Sequence, residues 1–275
     1  MATIPQEAPL PGRARLIAVV PIYNEEATLR GVLGQLESLV DLMILVDDGS
    51  RDGSAGIIRG LQLRRPGVWL LRHADNRGMA QSLKTGFFQA VRLLSDGTIR
   101  PGDILVNLDA DGQHPIPEIP GAAARMVAED LDVLLVVRDF SLYPRYKVIG
   151  NRFLTALART VSGFPYRDAE SGFRFLRARS LPRLLPFFTG WKYSCAQEIA
   201  IITALLGMRI RNDHPVRINF YRQGTTFGDG FAVTVMSLVA WLRVRCDLRA
   251  SVSRGDRHLA SVLIEAPAAL AERRP

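Results

Sequence analysis

The feature that most constrains this chain is an alternation, through residue 137, of continuous apolar runs with segments whose apolar residues recur at helical spacing. Residues 16–22 form the first apolar run, which is typical of a strand covered on both faces of a parallel sheet. The alternation continues with predicted strands at 42–46, 68–71, 104–108 and 131–137 and predicted helices at 28–39, 54–63 and around 83–94. Strands joined by helices in this way predict right-handed βαβ units, and therefore an α/β fold with a mostly parallel, doubly wound sheet flanked by helices.

Polar side chains follow the predicted first, second and fourth strands, at the point where each strand ends. Ligands of doubly wound sheets bind beyond the carboxyl ends of the strands. The sequence therefore predicts one binding site built from three strand tips: Tyr23, Asn24 and Glu25 after the first strand, Asp47 and Asp48 after the second, and Asp109 and Asp111 after the fourth.

The pattern changes from about residue 144. The sequence then predicts a helix at 148–161, an irregular segment at 162–173, a helix at 194–206 and a strand-like segment at 208–218. Residues 230–242 carry no charge, and this run is too short to span a bilayer yet long enough to lie on one. We expect four parts: a flexible N-terminus (1–14), one large domain (15–228), an amphipathic, membrane-facing segment (229–249) and a flexible tail (250–275).

The charge of the chain indicates phosphate among its partners. Lys+Arg total 35 against 27 Asp+Glu, for a net charge of +8, and only Lys84, Lys147 and Lys192 are lysines. Guanidinium groups match phosphate oxygens in a two-pronged geometry, so a nucleotide, an anionic lipid or a nucleic acid would each fit. Two cysteines, Cys195 and Cys246, are too few for a disulfide framework or a cysteine metal site, and they favour a reducing compartment.

No segment of the sequence is typical of export or of a membrane-spanning helix. Residues 1–11 lack the apolar core of a signal peptide, and no run reaches the about 20 apolar residues that cross a bilayer. We therefore expect a cytoplasmic protein, soluble or peripheral on the cytoplasmic face of the membrane.

Asp109, Asp111 and Gln113 follow the predicted fourth strand and offer two carboxylates and an amide oxygen at alternate positions. Hard oxygen ligands of this kind suit Mg²⁺ or Mn²⁺ held jointly with substrate phosphates. The alternative is a loop of turn-forming aspartates. His114 precedes a proline, and we interpret it as a turn residue rather than a fourth ligand.

Asp47 and Asp48 end the predicted second strand, where a carboxylate commonly accepts hydrogen bonds from a ribose or a base. The alternative is local Asx-turn chemistry. A dinucleotide or P-loop enzyme is disfavoured, because residues 21–25 stand where G-x-G-x-x-G would be needed and no G-x-x-x-x-G-K-[ST] is present.

Six segments carry a further pattern: residues 20–25, 46–54, 108–115, 150–152, 167–174 and 222–226. In this order they resemble the signatures of the family 2 inverting glycosyltransferases with the GT-A fold, and the resemblance covers residues 15–228. The most similar branch is the dolichol-phosphate mannosyltransferase and polyprenyl-phosphate glycosyltransferase group. Met79, Gly112 and Thr226 depart from the usual residues, and the membrane helices that many members carry after this domain are missing.

The resemblance implies a contact for each matching residue. These contacts are the nucleotide pocket for Pro21, Tyr23 and Glu25, the base or ribose for Asp48, the divalent metal for Asp109, Asp111 and Gln113, the donor diphosphate or acceptor phosphate for Arg222, and the acceptor for Arg138. It also makes residues 15–228 a catalytic domain, followed by interface helices.

The need for a catalytic base depends on the acceptor. A phosphate acceptor is already anionic, whereas a hydroxyl acceptor needs a strong base. Glu198, at the start of a predicted helix, is the first candidate and Asp168 the second. The alternatives are charge complementarity at the helix N-terminus for Glu198 and turn or cap structure for Asp168.

Two apolar segments, 146–161 and 230–244, have basic and aromatic flanks, which suit an anionic membrane interface. The flanking residues are Arg145, Lys147, Arg152, Trp241, Arg243 and Arg245. Core packing with solvated arginines is the alternative.

The sequence thus predicts a metal-dependent inverting glycosyltransferase that moves a sugar from a UDP- or GDP-sugar to a polyprenyl-phosphate lipid. The first alternative keeps the fold and the donor but takes a hydroxyl acceptor on a glycan or a small molecule. The second is a non-enzymatic, basic binder of nucleic acid or of a membrane surface. The complete set of metal-ligand oxygens argues against mere binding, so we expect no nucleic-acid partner.

Overall fold

A computed structural model describes residues 13–191, 194–218 and 227–253. In these residues the strands are β1 (Leu16–Ile22), β2 (Leu42–Asp47), β3 (Val68–Arg72), β4 (Ile104–Asn107), β5 (Val133–Arg138), β6 (Arg174–Arg177) and β7 (Ile210–Val216). The helices are α1 (Glu26–Glu37), α2 (Ser54–Arg64), α3 (Met79–Ser95), α4 (Ile119–Ala128), α5 (Arg145–Ser162), α6 (Leu181–Leu184), α7 (Cys195–Leu205) and α8 (Phe227–Ser253).

The seven strands form one sheet in the order β3-β2-β1-β4-β6-β5-β7. Strands β3, β2, β1 and β4 pair in parallel, as do β5 and β7, whereas β6 runs antiparallel to both of its neighbours. The predicted α/β fold with a mostly parallel sheet flanked by helices is confirmed. One edge of this sheet collects the carboxyl ends of β2, β1, β4 and β5 together with the beginning of β6, and we call it the active edge.

Strand β6 is not predicted from the sequence, because its four residues begin and end with arginine. Both arginines are nevertheless buried. Their guanidinium groups bond to backbone carbonyls, since Arg174 donates to Ser171 and Arg177 donates to Gly102, each at 2.6 Å. A strand with charged ends lacks the apolar run by which buried strands are recognised.

The side chains of β1 alternate between two apolar layers. Val19 belongs to one layer with Phe87 of α3, and Val20 belongs to the other with Leu33 of α1. Helix α3 lies so close to the sheet that a Cβ at Gly86 would be 2.6 Å from Val19 Cγ1. Coverage on both faces explains why β1 is apolar throughout.

Element boundaries differ from the predicted ones by a few residues. Strand β1 has the predicted limits, whereas α3 and α5 begin earlier, at Met79 and Arg145. Residues 1–12 and 254–275 lie outside the described residues, so the flexible N-terminus and tail stay predictions. None of the helices in the described part of the chain is long and apolar enough to cross a bilayer.

Candidate active site

The loop after β4 brings the three predicted metal ligands together. Gly112 has a φ of 76°, a left-handed conformation that turns the chain between Asp111 and Gln113. Asp111 Oδ1 accepts the backbone N–H of Gln113 at 3.0 Å, and Oδ2 accepts an amide N–H of the same side chain at 2.7 Å. Burial raises the pKa of Asp111, and the nearby charge of Asp109 raises it further.

His114 anchors this loop, in agreement with its predicted turn role. Its Nδ1 accepts the backbone N–H of Asp109 at 3.0 Å, and its ring stacks on Phe173 with centroids 5.3 Å apart. Burial lowers the pKa of His114 to about 4, so the ring is neutral at pH 7. Burial also raises the pKa of Asp109, while the charges of Arg174 and Arg138 oppose that shift.

The donor set fits a shared metal site rather than a closed one. In the described residues, no group of three or more His, Cys, Asp or Glu side chains is arranged to hold a metal ion. Asp109 and Asp111 offer two carboxylates, and Gln113 keeps its amide oxygen after its N–H has been donated to Asp111. Mg²⁺ is commonly bound by one or two carboxylates plus substrate phosphates and water. These residues therefore suit a cation whose coordination a diphosphate completes.

The tip of β1 lies against the same loop. The hydroxyl of Thr28 is 2.9 Å from the carbonyl oxygen of Ala110 and 3.1 Å from Glu25 Oε2. Tyr23 is 41% exposed, and Pro21, two residues earlier in the chain, is half-buried. The ends of the parallel strands β1 and β4 thus lie next to each other, and Tyr23, which follows β1, is exposed.

Asp47 and Asp48, at the end of β2, turn inward. Asp47 is fully buried, and its Oδ2 lies 3.0 Å from Arg72 Nε. Asp48 Oδ1 lies 2.6 Å from His73 Nδ1, and its Oδ2 accepts the backbone N–H of Gly78 at 2.7 Å. Both carboxylates therefore have protein partners in the described structure, and their contact with a nucleotide stays a prediction. Asp47 also accepts the backbone N–H of Ser50 at 2.9 Å, which fits the alternative of local turn chemistry, whereas the partners of Asp48 lie 25 to 30 residues along the chain.

Arg138, the last residue of β5, is bound to protein groups. Its Nε and Nη2 donate to the two oxygens of Asp168 at 2.7 and 2.9 Å, and Nη2 also donates to Asn151 Oδ1 at 2.6 Å. The side chain of Asp168 is 0% exposed and that of Arg138 is 17% exposed. Burial alone would lower the pKa of Arg138, but the charge of Asp168 raises it above its usual value. Arg138 thus forms a largely buried ion pair with Asp168, and the contact of this arginine with the acceptor stays a prediction.

Glu198, near the start of α7, is fully buried. Its Oε2 accepts the backbone N–H and the hydroxyl of Thr189 at 2.8 and 2.7 Å, and its Oε1 accepts the hydroxyl of Ser194. A base must reach the acceptor hydroxyl, whereas this carboxylate is buried and holds the turn before α7. The role of Glu198 as a base stays a prediction. Arg222 lies outside the described residues, and its role stays a prediction.

Glu170 and Arg174 are functional candidates that sequence reasoning does not single out. Arg174 is buried at the beginning of β6, and its positive charge opposes the rise in the pKa of Asp109. Glu170 has a buried Oε1 without a hydrogen-bond partner, and burial raises its pKa to about 7. The signal available was four charged residues within 167–174, directly before a buried strand.

Helices α5 and α8 pack on each other, and each exposes an apolar stripe. The exposed stripe of α8 lies opposite its buried one and consists of Phe231, Val235, Leu238 and Leu242. The exposed apolar residues of α5 are Tyr146, Ile149 and Phe153. Residues 145–162 and 230–246 contain no acidic residue, so every charged side chain of these two segments is basic. We call these seven exposed side chains the apolar stripes.

Comparisons with known proteins agree on the fold and on the class of reaction. The model of the family described as "Glycosyl transferase family 2" matches residues 17–192. A UDP-N-acetylglucosamine–dolichyl-phosphate N-acetylglucosaminyltransferase of Methanococcus voltae is 26% identical over 202 residues, which are 67% of this chain and 78% of the relative. An undecaprenyl-phosphate 4-deoxy-4-formamido-L-arabinose transferase of Shewanella sediminis is 30% identical over 61% of this chain and 49% of its own length.

Solved structures of glucosyl-3-phosphoglycerate synthase from Mycobacterium tuberculosis share the GT-A fold of this chain. The complex with UDP superposes with a TM-score of 0.61 and 19% identity, and covers 84% of this chain and 80% of the synthase. Another structure of the same synthase contains Mn²⁺, UDP-glucose and phosphoglyceric acid.

Proposed function

The chain belongs to glycosyl transferase family 2, and from this membership we propose that it is a metal-dependent inverting glycosyltransferase that moves a sugar from a UDP- or GDP-sugar to a polyprenyl phosphate. Glycosyl transfer itself follows from the family and from the named activities of its relatives. The observation that carries the choice of acceptor is the placement of the apolar stripes. Helix α5, which bears one stripe, contacts the active edge through the 2.6 Å bond between Asn151 and Arg138.

The donor would bind at the tips of β1 and β4. Asp109, Asp111 and Gln113 would hold Mg²⁺ or Mn²⁺, and the cation would neutralise the charge that develops on the leaving diphosphate. The protein would keep the oxygens of these three side chains in one loop, and His114 anchors that loop by accepting the backbone N–H of Asp109. The exposed Tyr23 ring offers a surface for the nucleotide beside that loop.

A phosphate acceptor explains the state of the carboxylates better than a hydroxyl acceptor does. A hydroxyl must lose a proton as it attacks, and a general base has to reach it. Glu198 and Asp168, the two candidate bases, are fully buried and hold protein groups. A phosphate dianion has no proton to lose, so it needs neither carboxylate as a base.

The acceptor phosphate would lie near the N-terminus of α5. Arg145 is exposed there, and the partial positive charge of a helix N-terminus favours an anion. Lys147, two residues on, has a pKa that burial and the charge of Arg138 lower. A phosphate bound beside this lysine would restore its usual preference for the charged form.

The lipid chain would enter from an anionic membrane surface at which the apolar stripes insert. A stripe of large apolar side chains with basic neighbours is typical of a helix that lies in a membrane interface. Stripes inserted in this way would also bring the basic N-terminus of α5 to the level of the lipid headgroups. A peripheral position on the cytoplasmic face of the membrane is part of this proposal.

The acceptor is tested by incubating the protein with radiolabelled UDP- and GDP-sugars, Mn²⁺ and undecaprenyl phosphate, and by counting label in an organic extract. We expect lipid-extractable product that disappears when the metal is chelated. The acceptor assignment fails if no donor gives lipid-extractable product while label passes to a soluble glycan.

The metal site is tested by calorimetry of UDP and GDP binding with and without Mn²⁺. Asp111→Ala is expected to abolish the metal-dependent part of binding and to leave the midpoint of thermal unfolding nearly unchanged, because Asp111 contacts only its own loop in the described hydrogen bonds. Glu118→Ala, an exposed acid a few residues along the chain, is the matched control. Full metal-dependent binding by Asp111→Ala would refute the site.

The membrane surface is tested by flotation with vesicles that contain an anionic phospholipid. Leu238→Glu places a charge in the α8 stripe and is expected to remove most of the vesicle-bound fraction. Leu63→Glu is the control, because Leu63 is 91% exposed on α2, away from both stripes. Equal losses in the two variants would contradict insertion of the stripes.

A further inference from the structure

The segment that precedes β6 carries Glu170 across the active edge. The backbone N–H of Glu170 donates to Asp168 Oδ1 at 3.1 Å. Two residues later, the carbonyl of Gly172 accepts an N–H of Asn107 at 2.6 Å, and a Cβ at Gly172 would lie 3.3 Å from Asp109 Oδ2. The segment is therefore fixed at both ends, between the buried ion pair of β5 and the predicted metal loop of β4.

One oxygen of Glu170 lacks a partner. Its Oε1 is buried and makes no hydrogen bond to any described group, and no ion pair joins this carboxylate to a cation in the described part of the chain. An ionised carboxylate with a buried, unpaired oxygen is costly. The group is stable if it carries a proton or if a ligand supplies the missing contact.

The charges that face Glu170 come from three elements of the fold. Arg138 of β5 has committed its guanidinium to Asp168 and Asn151, and Arg174 of β6 donates its Nε to a backbone carbonyl. Burial raises the pKa of Glu170 to about 7, the two arginines lower it and Asp168 raises it. Lys147 of α5 and Tyr143 before it lie close enough to Arg138 for their charges to interact with it.

We propose that Glu170 is a specificity-determining residue for the acceptor, whose neutral carboxyl donates a hydrogen bond to an oxygen of the incoming phosphate. This inference rests on the proposed function. The buried, unpartnered Oε1 at the active edge, next to an arginine that Asp168 already neutralises, is the geometry that carries it. A carboxyl that donates prefers an anionic acceptor, and it discriminates against a neutral hydroxyl, which gains less from a donor.

The transfer balances with the proton held on Glu170. A phosphate oxygen forms the new bond to the anomeric carbon, the bond from that carbon to the diphosphate oxygen breaks, and its electron pair leaves on the diphosphate. The acceptor changes from a dianionic monoester to a monoanionic diester, so it carries less charge after transfer. The hydrogen bond from Glu170 is strongest to the substrate and weaker to the product, which favours product release.

A general base at the same position would have the opposite dependence on pH. A base for a hydroxyl acceptor works only when Glu170 is ionised, so activity would rise with pH through the pKa of that carboxyl. A donor works only when Glu170 is protonated. Activity would then fall as pH rises above about 7, where an ionised Glu170 repels the phosphate.

The experiment measures kcat and KM for undecaprenyl phosphate from pH 6 to 9 in the wild type, Glu170→Gln, Glu170→Ala and the control Glu118→Gln. For the wild type and the control we expect kcat/KM to fall above pH 7. Glu170→Gln keeps a hydrogen-bond donor and should lose that fall. Glu170→Ala should raise KM for the lipid by about 10- to 100-fold with kcat little changed, the range for a hydrogen bond to a charged group.

Three results would overturn the proposal. Glu170→Gln as inactive as Glu170→Ala, with a wild-type rate that rises with pH, would make Glu170 a base. Wild-type behaviour of Glu170→Ala would leave it without a role. If the wild type itself transfers sugar to a soluble hydroxyl and not to the lipid, the proposed function fails, and this inference fails with it. If the wild type does transfer sugar to the lipid and the Glu170 variants have the same kcat, KM and pH profile, only the inference is refuted.

Discussion

The ion pair between Arg138 and Asp168 is the interaction whose removal tests the site most directly. Two bonds of 2.7 and 2.9 Å join the groups, and Asp168 is fully buried. Arg138→Met removes the cation and leaves a buried, uncompensated carboxylate, which costs about 3–5 kcal/mol of unfolding free energy. Asp168→Asn removes the charge from the other side and leaves a mostly buried guanidinium.

The double variant Arg138→Met/Asp168→Asn contains neither charge, so its cost should be well below the sum of the single costs. We expect a coupling energy of about 2–3 kcal/mol, near the upper end for residues in direct contact. The measurement is urea-induced unfolding at pH 7, followed by circular dichroism for the wild type and the three variants.

The control is a second pair measured in the same way. Arg64 and Glu37 lie 2.6 Å apart, but their side chains are 61% and 31% exposed, so solvent screens them. Their coupling should stay within about 0.2–1 kcal/mol. A coupling for Arg138 and Asp168 no larger than that of the control would refute the interpretation of the buried pair.

Other perturbations test the turn before α7, the packing of α3 and the half-buried Glu170. Glu198→Gln should keep most of the transferase activity, and Glu198→Ala should destabilise the fold by about 1–3 kcal/mol, because the carboxylate accepts three hydrogen bonds. A loss of 100-fold or more in kcat for a folded Glu198→Gln variant would instead support a role of Glu198 as the catalytic base. Gly86→Ala should lower the free energy of unfolding by about 1–3 kcal/mol, since the new Cβ would lie 2.6 Å from Val19 Cγ1. Gly60→Ala is the control: a Cβ there has nothing within 4 Å and should stabilise α2 by up to about 1 kcal/mol. Thermal unfolding that ranks the two variants the other way contradicts the packing of α3. Burial raises the pKa of Glu170 from 4.5 to about 7, so the folded state binds the proton more tightly than the unfolded state does. The stability that this proton contributes is present below pH 4.5 and is lost as pH rises through 7. In urea titrations, Glu170→Gln should therefore have a free energy of unfolding about 1–3 kcal/mol above that of the wild type at pH 8, and an equal one at pH 4.

The fold could be predicted because its strands obey a local rule. A strand covered on both faces must be apolar at every position, and β1 and β2 are, so their limits can be read from the sequence alone. Strand β6 breaks that rule, because its buried Arg177 donates to the carbonyl oxygens of Leu131, Gly102 and Met126, which lie 46 to 75 residues away along the chain. No window of the sequence contains those partners.

The location of the site could be predicted from the sequence, but the contacts of its individual residues could not. The strand tips meet where the sheet topology puts them, and Asp111 and Gln113 lie together because they share one loop. Whether a carboxylate faces a ligand or the protein depends on partners far along the chain. Asp48 is occupied by His73, which is 25 residues away, and Arg138 is occupied by Asp168, 30 residues away.

The antiparallel strand explains why those distant partners gather at one place. A parallel strand between β4 and β5 would begin at the opposite edge of the sheet, and the segment before it would lie far from the metal loop. Because β6 runs the other way, the segment before it, 163–173, must cross the active edge to enter the sheet. That crossing places Asp168 on Arg138, Glu170 beside the pair and Gly172 against Asp109. Strand β6, which the sequence does not predict, therefore determines that Asp168 and Glu170 lie at the active edge beside Arg138.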